Sequence, residues 1–245
     1  MIIGINGKIG SGKDTVGEII QKLCATNNGP EFEIKKFAGK LKQIASLLTG
    51  IPVEKFEDQE FKKQYMPKEW NYFNTVHTED IGRIDHYHQM TYREFLQKLG
   101  TEGMRDGLHT NVWVNALFAD YKAIPNKTMD ESFMEQFVTG SSAIHYTYPN
   151  WIITDMRFPN EMEAVKQREG ITIRVNRVTF REQTTEFGKL STIVQPEVDK
   201  LLGIEEHPSE TALDNAEFDY EIINDGTIED LVEKVRTILI TEKII

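Results

Sequence analysis

Residues 1–20, MIIGINGKIGSGKDTVGEII, decide the fold of this chain. The apolar run from Ile2 to Ile5 predicts a buried strand. Apolar side chains then recur at the i, i+3, i+4, i+7 spacing of one helix face, at Val16, Ile19, Ile20 and Leu23. Between them lies GKIGSGK, which meets the G-x-x-x-x-G-K spacing of a loop that cradles phosphates. This order of strand, loop and helix predicts a nucleotide-phosphate site.

The chemistry of the loop supports that prediction. Nucleotide phosphates are highly charged, so their site needs inward N–H groups, glycines that let the backbone come close, a helix N-terminus and a lysine. The candidate ATP-binding residues of the loop are Gly7, Gly10, Ser11, Gly12, Lys13 and Thr15. The common signature has Ser or Thr directly after the lysine, whereas here Asp14 follows Lys13 and the hydroxyl stands one residue later. The alternative, an accidental glycine-rich turn, is disfavoured by the strand and helix on either side.

Composition narrows the function classes. Since 39 acidic residues outnumber 28 basic ones, the net charge is −11, and we expect no nucleic-acid binding through a broad basic surface. The single cysteine, Cys24, excludes an intrachain disulfide. No segment approaches the roughly 20 apolar residues of a membrane span, and the N-terminus lacks a signal-peptide pattern. We therefore expect a cytoplasmic protein without a membrane partner.

Predicted strands and helices alternate along the chain. Five strands are predicted, at residues 2–6, 32–37, 151–155, 171–178 and 220–223. Helical patterns follow the first three strands and the fifth, at residues 16–23, 41–48, 159–168 and 228–239. Such connections give a mostly parallel sheet covered on both faces. The predicted fold class is therefore α/β, with a mostly parallel five-stranded sheet and helices on both faces.

We predict a single domain, residues 1–245, with a long insertion at residues 51–150. Within the insertion, residues 92–99 and 112–121 carry helical patterns, while residues 61–90 and 124–150 show no clear period. Loops of this length are usually functional. The aromatic-rich stretch at 65–92 is compatible with a homodimer, although the sequence does not determine the oligomeric state.

The end of the third predicted strand carries a second group of polar residues. In ITDMRFPNE, Asp155 and Arg157 follow the strand, and Glu161 falls in the first turn of the next helix. Ligands of open α/β sheets bind at the carboxyl ends of the strands. An aspartate there can hold Mg²⁺ directly or through water, and an arginine can grip a phosphate with two donors. The alternative is a helix start beside an arginine on a solvated rim.

A polar row marks the helix predicted at residues 92–99. Arg93, Gln97 and Thr101 recur at i, i+4 and i+8, and the row ends beside Gly100. Such a row is either a ligand-facing surface or the solvated side of the helix.

Together these segments resemble the bacteriophage deoxynucleoside monophosphate kinases, a family of P-loop kinases. The resemblance rests, in chain order, on GKIGSGKDT, FAGKLKQIA, FLQKLGTEGMRDGLHTNVWVNAL, ITDMRFPNEMEAV, EHPSETAL and INDGTIEDL. Animal phosphomevalonate kinases share the SGKD loop. The combination of LGTEG, Trp113 and the Asp155-x-Arg157 pair is more specific.

The resemblance implies a P-loop NTPase fold of the nucleoside monophosphate kinase type. The implied reaction transfers the γ-phosphoryl of ATP, with Mg²⁺, to a deoxynucleoside 5′-monophosphate and gives ADP and a diphosphate for phage DNA synthesis, in the host cytoplasm. The residues expected to be catalytic are Lys13, Asp14, Asp155 and Arg157. Thr15 and Asp155 are the expected metal ligands, and Asp14 belongs to the family's pattern. The expected acceptor-binding residues are Arg93, Gln97, Gly100, Thr101, Trp113, Arg157 and Glu161.

Several alternatives stay open at this point. Trp113 is either a pocket residue or a core residue. Residues 179–206 are a candidate lid, with Arg177 and Arg181 as ATP-binding candidates or solvated side chains. His207 and Glu210 either cap a helix or contact ligand. A kinase of another phosphorylated acceptor, such as a phosphomevalonate-type enzyme, and an ATP-binding or ATP-hydrolysing regulatory module are the rival functions.

Overall fold

A computed structural model of the chain describes residues 1–78, 82–125, 146–177, 180–184, 190–194 and 208–245. The side chains of residues 74–78, 82–86, 180–184, 190–194 and 208 are not described. The chain forms two compact units. The first comprises Met1–Lys36 and Phe118–Ile245, and the second Phe37–Leu117.

The first unit is built on a five-stranded sheet. Its strands in chain order are β1 (Ile2–Asn6), β2 (Phe32–Lys35), β7 (Asn150–Ile153), β8 (Ile171–Asn176) and β11 (Tyr220–Ile223). Their spatial order is β11-β8-β1-β7-β2, and each neighbouring pair is parallel. The predicted α/β fold with five strands is confirmed. The order reverses at β1, because the chain moves from β1 to one edge and later crosses to the other side, and such switch points are where α/β sheets bind ligands.

Helices cover both faces of this sheet. They are α1 (Lys13–Thr26), α6 (Pro159–Lys166) and α8 (Ile228–Thr241). Ile3 and Ile5 of β1 pack in one buried cluster with apolar residues of α1 and α8. Gly4, between them, faces the opposite side, where an added Cβ would lie 3.2 Å from Val165 of α6. Successive residues of β1 therefore face helices on opposite sides of the sheet, as expected for a parallel sheet with both faces buried.

The second unit is mostly helical. Its elements are α2 (Ala38–Thr49), a 3₁₀ turn (Val53–Phe56), α3 (Gln59–Lys63), a 3₁₀ turn (Lys68–Trp70), β3 (Tyr72–Thr78), β4 (Gly82–His88), α4 (Tyr92–Gln97), a π-helix (Lys98–Asp106) and most of α5 (Val112–Phe118). Its core gathers Ala45, Phe56, Met66, Tyr92, Phe95 and Leu96. Aromatic rings carry much of this packing, for example Phe61 stacked on Tyr92 at 4.4 Å between ring centroids.

The structure contains two features in the second unit that the sequence patterns did not indicate. Strands β3 and β4 pair as an antiparallel hairpin within residues 61–90, where no period was found. Phe73 and Tyr87 are exposed on this hairpin, so these two large apolar side chains do not mark a buried face in the sequence. In addition, α4 continues directly into the π-helix, whereas the sequence indicated a single α-helical stripe to Leu99.

The remaining elements are short. They are β5 (Ile124–Pro125) paired with β6 (Tyr146–Thr147), β9 (Phe180–Thr184) paired with β10 (Leu190–Val194), and α7 (Pro208–Thr211). Most of the candidate lid at 179–206 lies outside the described residues, apart from the backbone of β9 and β10. None of the described helices is long and apolar enough to span a bilayer.

Candidate functional site

The loop between β1 and α1 is shaped by glycines. Gly10 and Gly12 have φ values of +80° and +95°, in the left-handed region that other residues rarely adopt. Gly12 also begins α1, since its carbonyl accepts the N–H of Val16 at 2.9 Å. A Cβ at Gly7 would lie 2.3 Å from the Ser11 hydroxyl oxygen. The loop is therefore tightly wound and delivers Lys13 at the first position of a helix.

Ser11 sits at the buried base of this loop. It is 2 % exposed, and its hydroxyl oxygen has no hydrogen-bond partner in the described part of the chain. Its carbonyl accepts a hydrogen bond from the Asn224 side-chain amide at 2.9 Å. A buried hydroxyl without a partner is costly and calls for an explanation, such as a ligand that completes the site.

Lys13 is surrounded by charged groups of both signs. Its ammonium contacts the Lys8 carbonyl at 3.4 Å. Burial lowers the pKa of Lys13, the nearby Arg157 guanidinium lowers it further, and the carboxylates of Asp14 and Asp155 act in the opposite direction. The lysine of the loop and the Asp155–Arg157 pair after β7 are thus within electrostatic range of one another, as expected for residues at one edge of the sheet.

Asp14, the residue that departs from the common signature, has two partners at the ends of neighbouring strands. Its carboxylate accepts a hydrogen bond from the Thr154 hydroxyl at 2.7 Å and pairs with the Lys36 ammonium at 3.2 Å. Burial would raise the pKa of Asp14, but the Thr154 hydrogen bond and the charge of Lys36 outweigh it, so that the pKa is lowered. Asp14 therefore stays ionised and ties the start of α1 to residues after β2 and β7.

Glu161 fixes the backbone that follows β7. Its side chain is 2 % exposed and accepts the N–H groups of Arg157 at 2.8 Å and Phe158 at 3.1 Å. This is the return half of a capping box, in which an acidic residue of the first helical turn satisfies free N–H groups before the helix. The structure thus gives Glu161 a local role in holding the chain at Arg157.

The guanidinium of Arg157 is held by the turn of α7. Its Nη1 pairs with the Glu210 carboxylate and also donates to the Ser209 carbonyl at 3.3 Å. Of the two alternatives for Glu210, capping or ligand contact, the structure shows neither directly, since Glu210 contacts an arginine. His207 lies outside the described residues.

Of the two lid arginines, only one is described. Arg177 is exposed just after β8, and its Nη1 lies 3.4 Å from the Gly10 carbonyl of the loop. The side chain of Arg181 lies outside the described residues. Arg177 is thus placed beside the loop, and its role with ATP stays a prediction.

The acceptor candidates other than Arg157 and Glu161 lie together in the second unit. Arg93 donates to the Gln59 side chain at 2.9 Å, and Gln97 and Thr101 are half-buried. Trp113 is 5 % exposed, and its indole N–H donates to the Gly100 carbonyl at 2.8 Å. Trp113 is therefore packed inside the unit and contacts the π-helix at Gly100, within the LGTEG segment.

The residues expected to hold Mg²⁺ have suitable donor chemistry. Thr15 is half-buried in the first turn of α1, and Asp155 interacts electrostatically with Lys13. Hydroxyl and carboxylate oxygens are the donors that Mg²⁺ prefers, usually one or two of them together with substrate phosphates. In the described ranges, no three His, Cys, Asp or Glu side chains cluster as a metal site of protein ligands alone would need.

The sequence patterns missed three residues of this edge. Thr154 and Lys36 hold Asp14, and Asn224 holds the loop carbonyl of Ser11. Each directly follows a strand of the sheet, and that position is the signal by which they could have been recognised.

Comparison with known proteins gives two distant relatives. No protein-family model matches the chain. It is 22% identical to the deoxynucleoside-5′-monophosphate kinase of Escherichia phage T5, over 91% of this chain and 89% of that protein. It is 23% identical to a protein of Acanthamoeba polyphaga mimivirus that is named, provisionally, a deoxynucleotide monophosphate kinase, over 96% of this chain and 94% of that protein. Along most of its length, the chain is therefore distantly similar to two viral proteins with deoxynucleotide monophosphate kinase names.

Proposed function

We propose that this protein is a nucleotide kinase that transfers the γ-phosphoryl of ATP to a deoxynucleoside 5′-monophosphate, giving ADP and a deoxynucleoside diphosphate. The names of the two distant relatives and the parallel sheet support the kinase class. The motifs LGTEG and Asp155-x-Arg157, which resemble those of the phage family, support the monophosphate as acceptor.

One observation carries the proposal. A loop whose glycines have left-handed φ values places Lys13 at the start of a helix, within electrostatic range of Asp155 and Arg157. Phosphoryl transfer needs positioned cations and N–H donors rather than a covalent nucleophile. Lys13 and the loop N–H groups hold the β- and γ-phosphates, and Arg157 neutralises charge on the transferred group. Thr15 and Asp155 are the residues that would hold Mg²⁺, which neutralises phosphate charge when bound with ATP.

In this proposal Asp14 has a supporting role next to Lys13. Since its carboxylate is engaged by Thr154 and Lys36, it fixes the first turn of α1 against two strand ends. Its negative charge also favours the protonated form of Lys13. Asp14 thereby acts in favour of the charged lysine, which phosphate binding requires.

The acceptor base is assigned to Arg93, Gln97, Gly100 and Thr101. In this proposal Trp113 acts on the pocket by fixing the Gly100 carbonyl. The resemblance to the phage family assigns the acceptor phosphate to Arg157.

The test is ADP release from Mg-ATP with each deoxy- and ribonucleoside monophosphate in turn and with no acceptor. We expect turnover only with deoxynucleoside monophosphates. Lys13→Ala should abolish it, while Lys22→Ala, a matched loss of charge at an exposed position of the same helix, should not. Release that needs no acceptor would indicate a hydrolysing module, and flat rates across the panel would point to another phosphorylated acceptor, such as a phosphomevalonate-type substrate.

A further inference from the structure

Two carboxylates hold Arg157, one at each end of the residue. Glu161 accepts its backbone N–H at 2.8 Å, and Glu210 pairs with its guanidinium. The side chains of Arg157 and Glu210 are 28% and 14% exposed, so this ion pair is more sheltered than an ordinary surface pair. Fixing both the backbone and the charged group leaves the guanidinium little freedom of orientation.

The turn that carries Glu210 is itself anchored to the sheet. The guanidinium of Arg174, in β8, donates to the carbonyls of Leu213 and Asp214 and to the Asp214 carboxylate, each at 3.0 Å. Leu213 is buried, with 3% of its surface exposed. Glu210 therefore presents its carboxylate from a fixed support.

Glu210 also lies beside the glycine loop. A small polar cleft is lined by Asn6, Gly7, Lys8, Arg174, Ser209 and Glu210, among others. The cleft thus brings the start of the loop and the Glu210 turn to the same place at the carboxyl edge of β1 and β8. A carboxylate here repels phosphate, so an ion pair with Arg157 is the arrangement in which its presence can be favourable.

We propose that Glu210 is a positioning residue that aims the Arg157 guanidinium for phosphoryl transfer, an assignment that rests on the proposed function. Catalytic groups must be preorganised by residues that are themselves held, because reorientation at the moment of reaction raises the barrier. Glu210 supplies that support to the guanidinium while Glu161 supplies it to the backbone.

The role predicts a split between turnover and binding. Glu210→Gln keeps the size of the side chain and removes its charge. The site then becomes more positive, so the KM for ATP should stay unchanged or fall, while kcat should fall roughly tenfold because the guanidinium is no longer oriented. A purely structural role would lower stability and leave kcat of the folded protein unchanged.

The experiment is a double-mutant cycle of Glu210→Gln and Arg157→Ala, with kcat and the KM and Kd for ATP measured for all four proteins. In the Arg157→Ala background, Glu210→Gln should change kcat by less than about twofold, because its target is gone. Glu217→Gln, an exposed carboxylate shortly after the Glu210 turn, is the matched control and should be neutral. Circular dichroism and thermal melting check the fold, and Glu210→Asp replaces Glu210→Gln in the cycle if that variant fails to fold.

The outcomes separate this proposal from the proposed function. An equal fractional loss of kcat in both backgrounds overturns the positioning role while leaving the kinase intact. If the wild type turns over no acceptor, the proposed kinase function is wrong. The coupling between Glu210 and Arg157 is then measured from the Kd for ATP of the four proteins. Effects of Glu210→Gln on the Kd for ATP that differ between the two backgrounds support the coupling, and equal effects in both backgrounds contradict it.

Discussion

Replacing Gly12 by alanine separates two demands on the glycine loop, its backbone conformation and its contact with Asn224. Gly10 and Gly12 both have left-handed φ values, +80° and +95°. A Cβ at Gly12 would lie 2.6 Å from the Asn224 amide nitrogen, whereas a Cβ at Gly10 would meet no atom within 4 Å. Gly10→Ala is therefore a matched control that has the conformational cost alone.

The expected magnitudes follow from these two terms. An alanine held in the left-handed region costs roughly 1 to 2 kcal/mol at either position. At Gly12 the Asn224 amide must also move and give up its 2.9 Å hydrogen bond to the Ser11 carbonyl. Such a bond contributes about 1 kcal/mol. The free energy of unfolding should therefore fall by about 1 kcal/mol more in Gly12→Ala than in Gly10→Ala.

Urea unfolding of the wild type, both variants and their combinations with Asn224→Ala measures these costs. The extra loss in Gly12→Ala should disappear in the Asn224→Ala background, where the side chain that blocks the Cβ is absent. In thermal melts, the difference corresponds to roughly 2 to 4 °C for a chain of this size. Equal losses at the two glycines, or an extra loss that persists without Asn224, would refute the role given to this contact.

Three further predictions concern the site. Thr154→Val removes the hydroxyl that donates to Asp14 and should raise the pKa of Asp14. A carboxyl group whose pKa is lowered on folding stabilises the fold at pH values above its ordinary pKa of about 4, and this stabilisation is lost as the pH falls through the folded pKa. Thr154→Val should therefore have a lower free energy of unfolding than Thr154→Ser at neutral pH, and the difference should shrink in acid. Urea unfolding of the two variants measures it. Trp113→Phe removes the N–H bound to the Gly100 carbonyl and should cost about 1 to 3 kcal/mol of stability, and an unchanged KM for the monophosphate would assign Trp113 to the core alone. Because the pKa of Lys13 is lowered, chiefly by burial, kcat/KM should decline at a lower alkaline pH than an ordinary lysine would give, and Asp14→Asn should move this decline lower still.

The three central strands of the sheet were predictable because most of their residues are buried, on both faces. The runs IIGI of β1 and WII of β7 carry apolar side chains at consecutive positions, a pattern that an exposed strand cannot show. The β3–β4 hairpin was not predicted, for the opposite reason. Phe73 and Tyr87 pack on each other at 5.5 Å between ring centroids, yet both are exposed, so these two large side chains do not mark a buried face in the sequence.

In the candidate site, some residues are indicated by local sequence spacing, and others by contacts that depend on the order of the strands. Gly10, Gly12 and Lys13 lie within a few residues of one another, so their spacing alone indicates the loop. The partners of Asp14 and Ser11 come from residues far away in sequence and depend on which strands are neighbours, information that no local pattern contains.

Position at the end of a strand identifies the site residues that the spacing of motifs did not indicate. Each of the five strands ends in, or is directly followed by, a polar residue: Asn6, Lys36, Thr154, Asn176 and Asn224. Four of them hold the chain at this edge through their side chains: Lys36 and Thr154 bind Asp14, Asn6 binds the Met156 carbonyl at 2.8 Å, and Asn224 binds the loop. Since parallel strands bring all their carboxyl ends to one edge, polar residues at these positions must meet there whatever the order of the strands. Asp14 in place of a hydroxyl residue is then explained by its surroundings, because a carboxylate at the start of α1 can accept from both Thr154 and Lys36, which a serine or threonine there could not match in charge.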